Sequence, residues 1–234
     1  MDTQIVHVGS RPRSLELDFI GDLACPWSFI GKRNLARALD SLYGAGLKVQ
    51  RWHGLPLAGV AQSSWREHLA SRLPPGADVD EAQRKLEAAG RELDIGFHFD
   101  RIANLPDTRE AHRLVHLAAH DSRQEELIDG VFRAFFESGR DISNPLVLVQ
   151  LASEAGVEES VRTAFTAGAG GREEVLGEER RLRGLGVEGV PNLLLNSRVL
   201  VPGAADVATY IQALDQALFP DNQVQAQDRQ RRLH

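Results

Sequence analysis

The sequence predicts an α/β protein whose two α/β halves are separated by a large all-helical insertion. A strand–helix–strand pattern occupies residues 15–52, helical periodicity runs from 63 to 184, and two short apolar runs and a helix follow at 192–218. We therefore expect one domain built from residues 14–62 and 185–219 and an inserted helical domain at 63–184. The polar residues 221–234 are expected to form a frayed tail.

The first half opens with a strand at residues 15–20, where apolar and polar side chains alternate with a period of two. Pro26 then begins a helix, since proline is favoured at the first helical position. Leu35, Leu39 and Leu42 continue it at helical spacing. A second strand follows at 47–52. Such a strand–helix–strand unit predicts a parallel pair.

The middle and end of the chain are divided by glycine, proline and asparagine. The predicted helices between 63 and 184 are broken at 74–76, 93–106, 139 and 168–171. Asn144 is expected to cap a helix at 146–155 that begins after Pro145. Strands are predicted at 192–195 and 199–201 with a turn at Asn196-Ser197, followed by a closing helix at 205–218.

Composition excludes several classes of function. The 234 residues include 27 basic and 33 acidic side chains, and the net charge of −6 argues against a nucleic-acid partner. No apolar run reaches the roughly 18 residues of a membrane span. The N-terminal residues contain no apolar core of signal-peptide length, so we expect a cytoplasmic protein.

The single cysteine, Cys25, limits the chemistry further. It excludes an intramolecular disulfide and any metal site built on several thiolates. Cys25 lies between a predicted strand and the start of a helix, where backbone N–H groups and the helix dipole favour a thiolate and lower the thiol pKa. This position indicates a nucleophile. The alternative is a small buried apolar residue, which free cysteines often are.

The residues around Cys25 and before the third strand resemble the thioredoxin superfamily, in which a cis-proline loop packs beside a reactive cysteine. More closely, the chain resembles DsbA-family proteins of the FrnE-like group, which are related to 2-hydroxychromene-2-carboxylate isomerases and kappa-class glutathione transferases. The matching segments occur in order between residues 15 and 218: 22–27 with 30–33, 96–99, 108–114, 132–136 with 139–142, and 186–191.

This resemblance implies a thioredoxin fold interrupted by the helical insertion, with thiol–disulfide chemistry at Cys25. It places Pro191 opposite the thiol and Pro26 and Trp27 beside it. The backbone of Val190 is expected to receive the substrate. His112, in the matching Ala-His-Arg segment, is implied to line the cleft, where an imidazole can donate a proton.

Three departures from the family pattern bear on function. Ser28 stands where the oxidoreductases usually carry a second cysteine. Asp107 replaces an asparagine, and residues 53–57 lack an Asn-Pro-Asp run, which predicts a different substrate wall. A hydroxyl cannot resolve a mixed disulfide, so the prediction is monothiol chemistry in which an external thiol completes the cycle. Ser28 is expected to donate a hydrogen bond that favours the thiolate.

The leading hypothesis is thus a DsbA-family oxidoreductase that exchanges thiols and disulfides through Cys25, with support from Ser28. We expect no tightly bound cofactor, with glutathione or another low-molecular-weight thiol as co-substrate. One alternative is a glutathione-dependent isomerase or transferase acting on an aromatic or polyketide-like small molecule. Another is a non-enzymatic protein that binds peptides. The expected partners are protein or small-molecule thiols and disulfides, and a homodimer is compatible with the sequence.

Other patterns predict no further chemistry. His112, His116 and His120 recur every four residues on one predicted helix, a spacing that can serve a metal, but no Glu or Cys completes a metal-binding motif. The glycines at 168–171 follow a helical stretch and lack the lysine of a phosphate-binding loop, so they predict a hinge. The basic run at 180–183 is typical of a solvated helix face.

Overall fold

A four-stranded mixed sheet joins the two ends of the chain. It is defined by a computed structural model, which describes residues 15–43, 51–57 and 63–219. Its strands are β1 (Leu17–Gly21), β2 (Arg51–Gly54), β3 (Asn192–Leu195) and β4 (Val199–Pro202), in the order β2-β1-β3-β4. β1 pairs with β2 in parallel, as predicted, and β3 is antiparallel to both β1 and β4. Residues 44–50, which contain the start of the predicted second strand, lie outside the described residues, as does the predicted tail at 221–234.

The helices divide between the sheet and the insertion. In the part of the chain that the structure describes, α1 (Pro26–Tyr43) and α9 (Val207–Leu218) follow strands β1 and β4. Between β2 and β3 lie α2 (Trp65–Arg72), α3 (Val79–Arg91), α4 (Arg109–Leu117), α5 (Gln124–Phe136), α6 (Pro145–Glu154), α7 (Glu159–Thr166) and α8 (Arg172–Gly184), with one 3₁₀ turn at Phe99–Arg101. The predicted α/β fold with a helical insertion is confirmed. None of these helices is both long and apolar enough to cross a membrane.

Two helix ends differ from the sequence prediction. The predicted helix that carried His120 stops at Leu117, because the Asp121 carboxylate accepts hydrogen bonds from the backbone N–H groups of Arg123 (2.8 Å) and Glu158 (2.8 Å). A side chain that binds nearby backbone in this way competes with the helix. The closing helix begins at Val207 because the Asp206 side chain caps it by accepting from the Thr209 N–H at 2.8 Å.

Other local predictions are confirmed in detail. Asn144 accepts a hydrogen bond from the Leu146 N–H at 2.9 Å, and Pro145 occupies the first turn of α6. Asn196 and Ser197 both have positive φ, 50° and 54°, the conformation of a tight hairpin turn.

Helix α1 is shared by two hydrophobic cores. Leu35 and Leu39 are buried with the sheet and α9, whereas Phe29 belongs to the core of the insertion and stacks on Phe132 with a centroid distance of 4.8 Å. Leu42, predicted as part of the same buried stripe, is 41 % exposed. The N-terminal half of α1 is thus fixed against the insertion and its C-terminal half against the sheet.

An ion-pair cluster around the buried ammonium of Lys32 reinforces this contact. The Lys32 ammonium on α1 is 2.6 Å from a Glu125 carboxylate oxygen and 2.8 Å from an Asp129 oxygen, both on α5. The Lys32 side chain is only 6 % exposed. Because removing one member of a buried cluster leaves its partners without a counter-charge, we expect this contact to be sensitive to mutation.

We predict that Lys32→Met lowers the free energy of unfolding by about 3 kcal/mol. The matched control is Lys85→Met, since Lys85 pairs with Glu81 on the exposed face of α3. That variant should change stability by less than about 0.5 kcal/mol. Urea unfolding followed by circular dichroism measures both values. Equal losses in the two variants would contradict a specific role for the buried cluster.

Candidate active site at Cys25

Cys25 lies in a tight turn between β1 and α1. Its backbone N–H donates to the Asp22 carbonyl at 3.0 Å, and its own carbonyl accepts from the Ser28 N–H at 3.0 Å as the helix begins. The residue is 8 % exposed. Its Sγ lies 3.9 Å from the carbonyl oxygen of Val190. The fold therefore brings together two predicted site residues that are 165 positions apart in the sequence.

The loop before β3 packs closely on α1. The Val190–Pro191 peptide bond is cis. A Cβ placed on Gly31 would lie 3.1 Å from Pro191 Cγ and 3.2 Å from the Tyr210 hydroxyl. The glycine therefore lets the helix approach the proline loop, and this approach holds Val190 over the thiol.

Ser28 and the helix start act on the Cys25 thiol, but burial dominates. Burial raises the pKa of Cys25 to about 11, although the hydroxyl and backbone N–H of Ser28 lower it; the charge of Asp22 raises it further. The prediction of a lowered thiol pKa is therefore wrong for this structure. The position at a helix start is as predicted, but the cost of placing a thiolate in an apolar environment exceeds what the helix start contributes.

The buried carboxylate of Asp22 is the central polar group beside the thiol. It is 1 % exposed, and it accepts hydrogen bonds from His112 Nε2 at 3.2 Å and from the Leu57 backbone N–H at 2.9 Å. Burial raises the pKa of Asp22, but these hydrogen bonds lower it more, so that its pKa lies below the ordinary value. Asp22 therefore carries a negative charge at neutral pH.

The tautomer of His112 follows from its neighbours. The Trp52 indole Nε1–H can only donate, and it lies 3.4 Å from His112 Nδ1. Nδ1 therefore accepts, and Nε2 carries the proton that is donated to Asp22. Gly54 makes this arrangement possible, since a Cβ there would clash with Nδ1 of His112.

His112 is not exposed to the cavity beside Cys25. It is 2 % exposed and lines a second cavity of about 520 Å³, together with His116 and His120. Its link to the thiol passes through Asp22. His120 lies beyond the end of α4, and the described residues contain no group of three or more His, Cys, Asp or Glu side chains that could hold a metal ion.

The cavity beside Cys25 has a volume of about 280 Å³ and is lined by residues of both the α/β half and the insertion. Pro26 and Trp27 line it from α1, and Val190 lines it from the proline loop. Trp27 is 44 % exposed, so it forms part of the outer rim. Leu57 contributes to the wall where the sequence departs from the family pattern.

Helix α2 supplies cavity residues that the sequence reasoning missed. Trp65, His68, Leu69 and Arg72 all line the cavity. Their spacing of i, i+3, i+4 and i+7 is that of one helix face. The spacing was visible in the sequence, but the sequence did not indicate that this face turns toward Cys25.

The basic run and the glycine run lie outside this cavity. On α8, Leu182 is buried while Arg181 pairs with Glu178 and Arg183 pairs with Glu179, which fits a largely solvated helix face. Gly171 is the left-handed residue that precedes α8, with a φ of 79°. Both segments thus have structural explanations.

The fold and the site define a thioredoxin-like protein with one cysteine at the start of its first helix and a proline loop against it. The family model of the DSBA-like thioredoxin domain matches residues 16–215. The chain belongs to the DSBA-like thioredoxin family. At the level of the family, this makes it a DsbA-like oxidoreductase.

Solved structures agree with this assignment. A probable DsbA oxidoreductase from Streptomyces coelicolor is 28 % identical, with a TM-score of 0.73 over 87 % of this chain and 90 % of that one. The cytosolic disulfide reductase DsbM from Pseudomonas aeruginosa with GSH is 24 % identical, with a TM-score of 0.59 over 90 % and 99 %. A 2-hydroxychromene-2-carboxylate isomerase is 17 % identical, with a TM-score of 0.59 over 92 % and 97 %. The last two show the fold alone. No curated protein matches the chain significantly.

The raised pKa of Cys25 predicts how its alkylation depends on pH. In the wild type, the rate of reaction with iodoacetamide should rise about tenfold per pH unit from pH 7 to 10, with no plateau near the ordinary thiol pKa of about 8.5. Asp22→Asn should move the curve to lower pH, because it removes a negative charge beside the thiol. The control is Asp18→Asn, since Asp18 is a buried carboxylate that pairs with Arg51 and His53. A wild-type plateau below pH 8 would contradict the dominance of burial.

The same shift predicts a loss of stability at alkaline pH. A thiol whose pKa is raised on folding binds its proton more tightly in the folded protein. Its contribution to the free energy of unfolding is therefore complete below pH 9 and declines between pH 9 and 11. Over this range the wild type should lose roughly 2 kcal/mol more than Cys25→Ala. Urea unfolding at several pH values measures the difference. Parallel curves for the two proteins would show that the thiol has the same pKa in the folded and unfolded chains.

Proposed function

We propose that the chain is a monothiol thiol–disulfide oxidoreductase that acts through a mixed disulfide at Cys25. The observation that supports it best is a lone thiol held 3.9 Å from the Val190 carbonyl, with a hydroxyl at Ser28 in place of a second thiol. Cys25 is 8 % exposed and lines the cavity between α1, α2 and the proline loop.

The reaction proceeds in two exchanges. The Cys25 sulfur, after losing its proton, attacks a substrate disulfide R–S–S–R; a Cys25–S–S–R bond forms and R–S⁻ leaves, which takes up a proton. An external thiol R′–SH then attacks as its thiolate the R-bearing sulfur of the mixed disulfide. This releases R–S–S–R′ and returns the Cys25 thiol. The net reaction exchanges R–S for R′–S, and electrons are supplied by the external thiol.

Burial of Cys25 supports the reducing direction. Strong oxidants of this chemistry owe their potential to a stabilised thiolate in the reduced protein. Here burial raises the pKa of the Cys25 thiol to about 11, so the thiolate of the reduced protein is not stabilised in this way. We assign the reaction to the cytoplasm, where thiols are kept reduced and an external thiol is available. Glutathione or another low-molecular-weight thiol is the proposed co-substrate.

The remaining site residues have distinct proposed roles. Ser28 supports the thiolate as it forms, and Pro26 and Trp27 form the rim on which the substrate docks. Val190 offers its backbone carbonyl, and Pro191 fixes that loop against Gly31. His112 acts through its hydrogen bond to Asp22, since it does not line the cavity that contains the thiol.

A second candidate is a glutathione-dependent isomerase or transferase. The observation that favours it is the cavity of about 280 Å³ beside Cys25, whose walls include Leu57, Leu86 and Leu105. Such a space suits a small apolar substrate held next to a cofactor thiol. This function predicts saturable binding of reduced glutathione without disulfide reduction. A peptide-binding protein without activity predicts equal binding by the wild type and Cys25→Ala and no exchange.

We predict that oxidised glutathione adds one glutathionyl group to the wild type and none to Cys25→Ala, and that a second thiol removes the adduct. Ser28→Cys should convert the adduct into an internal disulfide that lacks two hydrogen atoms, because the new thiol can resolve it. The matched control, Ser28→Ala, should retain its adduct until an external thiol is added. Intact-mass spectrometry reports every species. An inert Cys25 in the folded wild type would overturn the proposal.

A further inference from the structure

The face of α2 that lines the Cys25 cavity carries three hydrogen-bond donors. Trp65, His68 and Arg72 follow one another at intervals of three and four residues, and all three line the cavity with Leu69 between them. The other cavity residues contributed by the insertion, Leu86 and Leu105, are apolar. The polar groups of this wall are therefore concentrated on one helix.

Trp65 holds a buried donor that has no acceptor. The residue is 4 % exposed, and its Nε1–H has no hydrogen-bond partner among the described residues. Its ring is fixed by stacking on Phe99, with a centroid distance of 4.3 Å and an interplanar angle of 2°. Buried indole N–H groups normally find a partner. The accessible area of this nitrogen is below 1 Å², so an acceptor brought by a ligand reaches it when a neighbouring side chain of the cavity wall moves.

Arg72 lies two turns beyond Trp65 on α2 and also has unused donors. One of its guanidinium nitrogens donates to the Leu57 carbonyl at 2.9 Å, and it forms no ion pair with any residue that the structure describes. Arg66 on the same helix differs, because it is paired with Asp80. A guanidinium has five N–H donors, so most of those of Arg72 remain available for a ligand.

His68 lies between these two residues. Burial and the charge of Arg72 lower its pKa, although Asp22 raises it. The imidazole is therefore neutral at neutral pH and presents one N–H donor. Its side chain makes no hydrogen bond to a described residue, and its ring is 6.1 Å from that of Trp65.

The acceptors of the cavity, in contrast, are already engaged. Of the described residues that line it, Asp22 alone carries a carboxylate, and its oxygens are bound by His112 and the Leu57 N–H. The cavity thus has unused donors and no unused carboxylate. A ligand carboxylate, with its two acceptor oxygens, complements such a wall, and arginine binds it with favourable fork geometry.

We propose that Trp65, His68 and Arg72 form a subsite that binds a carboxylate of the disulfide or thiol that reacts at Cys25. This rests on the proposed exchange at Cys25 and names the class of its substrate: a thiol compound that bears a carboxylate. The bound carboxylate orients the substrate sulfur toward Cys25 Sγ. The same chemistry is offered by a small thiol such as glutathione and by an acidic side chain of a peptide.

The test compares three small disulfides of matched length that differ in the end group: 3,3′-dithiodipropionate, bis(2-hydroxyethyl) disulfide and cystamine. The rate of adduct formation at Cys25 is measured by intact mass at constant pH and ionic strength. Arg72→Gln should lower the ratio of the carboxylate to the hydroxyl rate by about tenfold, and Trp65→Phe by roughly fivefold, since each removes a donor to a charged acceptor. The control Arg66→Gln should leave the ratio at its wild-type value.

Comparing ratios within each variant separates recognition from intrinsic reactivity. If Arg72→Gln slows all three disulfides equally, or leaves the ratio unchanged, the subsite is overturned. Oxidised glutathione and a mixed disulfide of an acidic peptide are run beside them. The rate of adduct formation with each of these two disulfides should depend on Arg72. The disulfide that reacts faster identifies the source of the carboxylate.

A second measurement keeps the subsite testable if the exchange reaction itself fails. The thioether 3-(methylthio)propionate carries the carboxylate but cannot form a disulfide. Cys25→Ala should bind it, and the addition of Arg72→Gln should weaken binding by about tenfold in a titration followed by calorimetry. An absence of adducts in the wild type would overturn the proposed function. Equal binding by the two variants would overturn the subsite.

Discussion

The buried carboxylate of Asp22 is the interaction on which the arrangement of the site depends. It joins three parts of the chain, since it lies in the turn that begins α1, accepts from Leu57 after β2, and accepts from His112 on α4. A buried charge must be hydrogen-bonded, so each of these segments is restricted to positions that satisfy it. The insertion is thereby held against the α/β half next to Cys25.

The same arrangement explains why the pKa of the Cys25 thiol is raised. Two features of the fold act on Cys25 in opposite directions: the start of α1 offers N–H groups that stabilise a thiolate, and the cavity walls and Asp22 destabilise it. The second influence is larger, and the pKa of Cys25 is raised. In the proposed exchange, Cys25 must therefore lose its proton before it attacks a disulfide. A protonated resting thiol also fits a reductant better than an oxidant.

Much of the fold was predictable because its signals are local. The apolar strand before Gly21, the proline at the start of α1, the Asn144 cap and the Asn196-Ser197 turn each express a preference within a few residues, and each was found in the structure. The alternation in β1 predicted a half-buried strand, and this was wrong, because every residue of the strand is buried. The errors have local causes as well. The end of α4 was missed because a side chain at Asp121 takes over backbone donors, a competition that periodicity does not reveal.

The site was predictable only in part. Cys25 and Val190 were brought together as the family resemblance implied, but His112 faces a second cavity, and the α2 face with Trp65 and Arg72 was missed. Contacts of this kind join residues that are far apart in the sequence. Their formation depends on how the helices of the insertion pack on α1, where Phe29 and Lys32 contact α5.

The sequence by itself determined which side chains are available: one thiol, and a hydroxyl at Ser28 in place of a second, so that no resolving sulfur belongs to this sequence. These follow from residue identity, which folding does not alter. Only the tertiary structure decided the state of that thiol and the shape of the space before it. Desolvation and charge depend on distances between segments separated by many residues, and in this protein the packed insertion sets those distances.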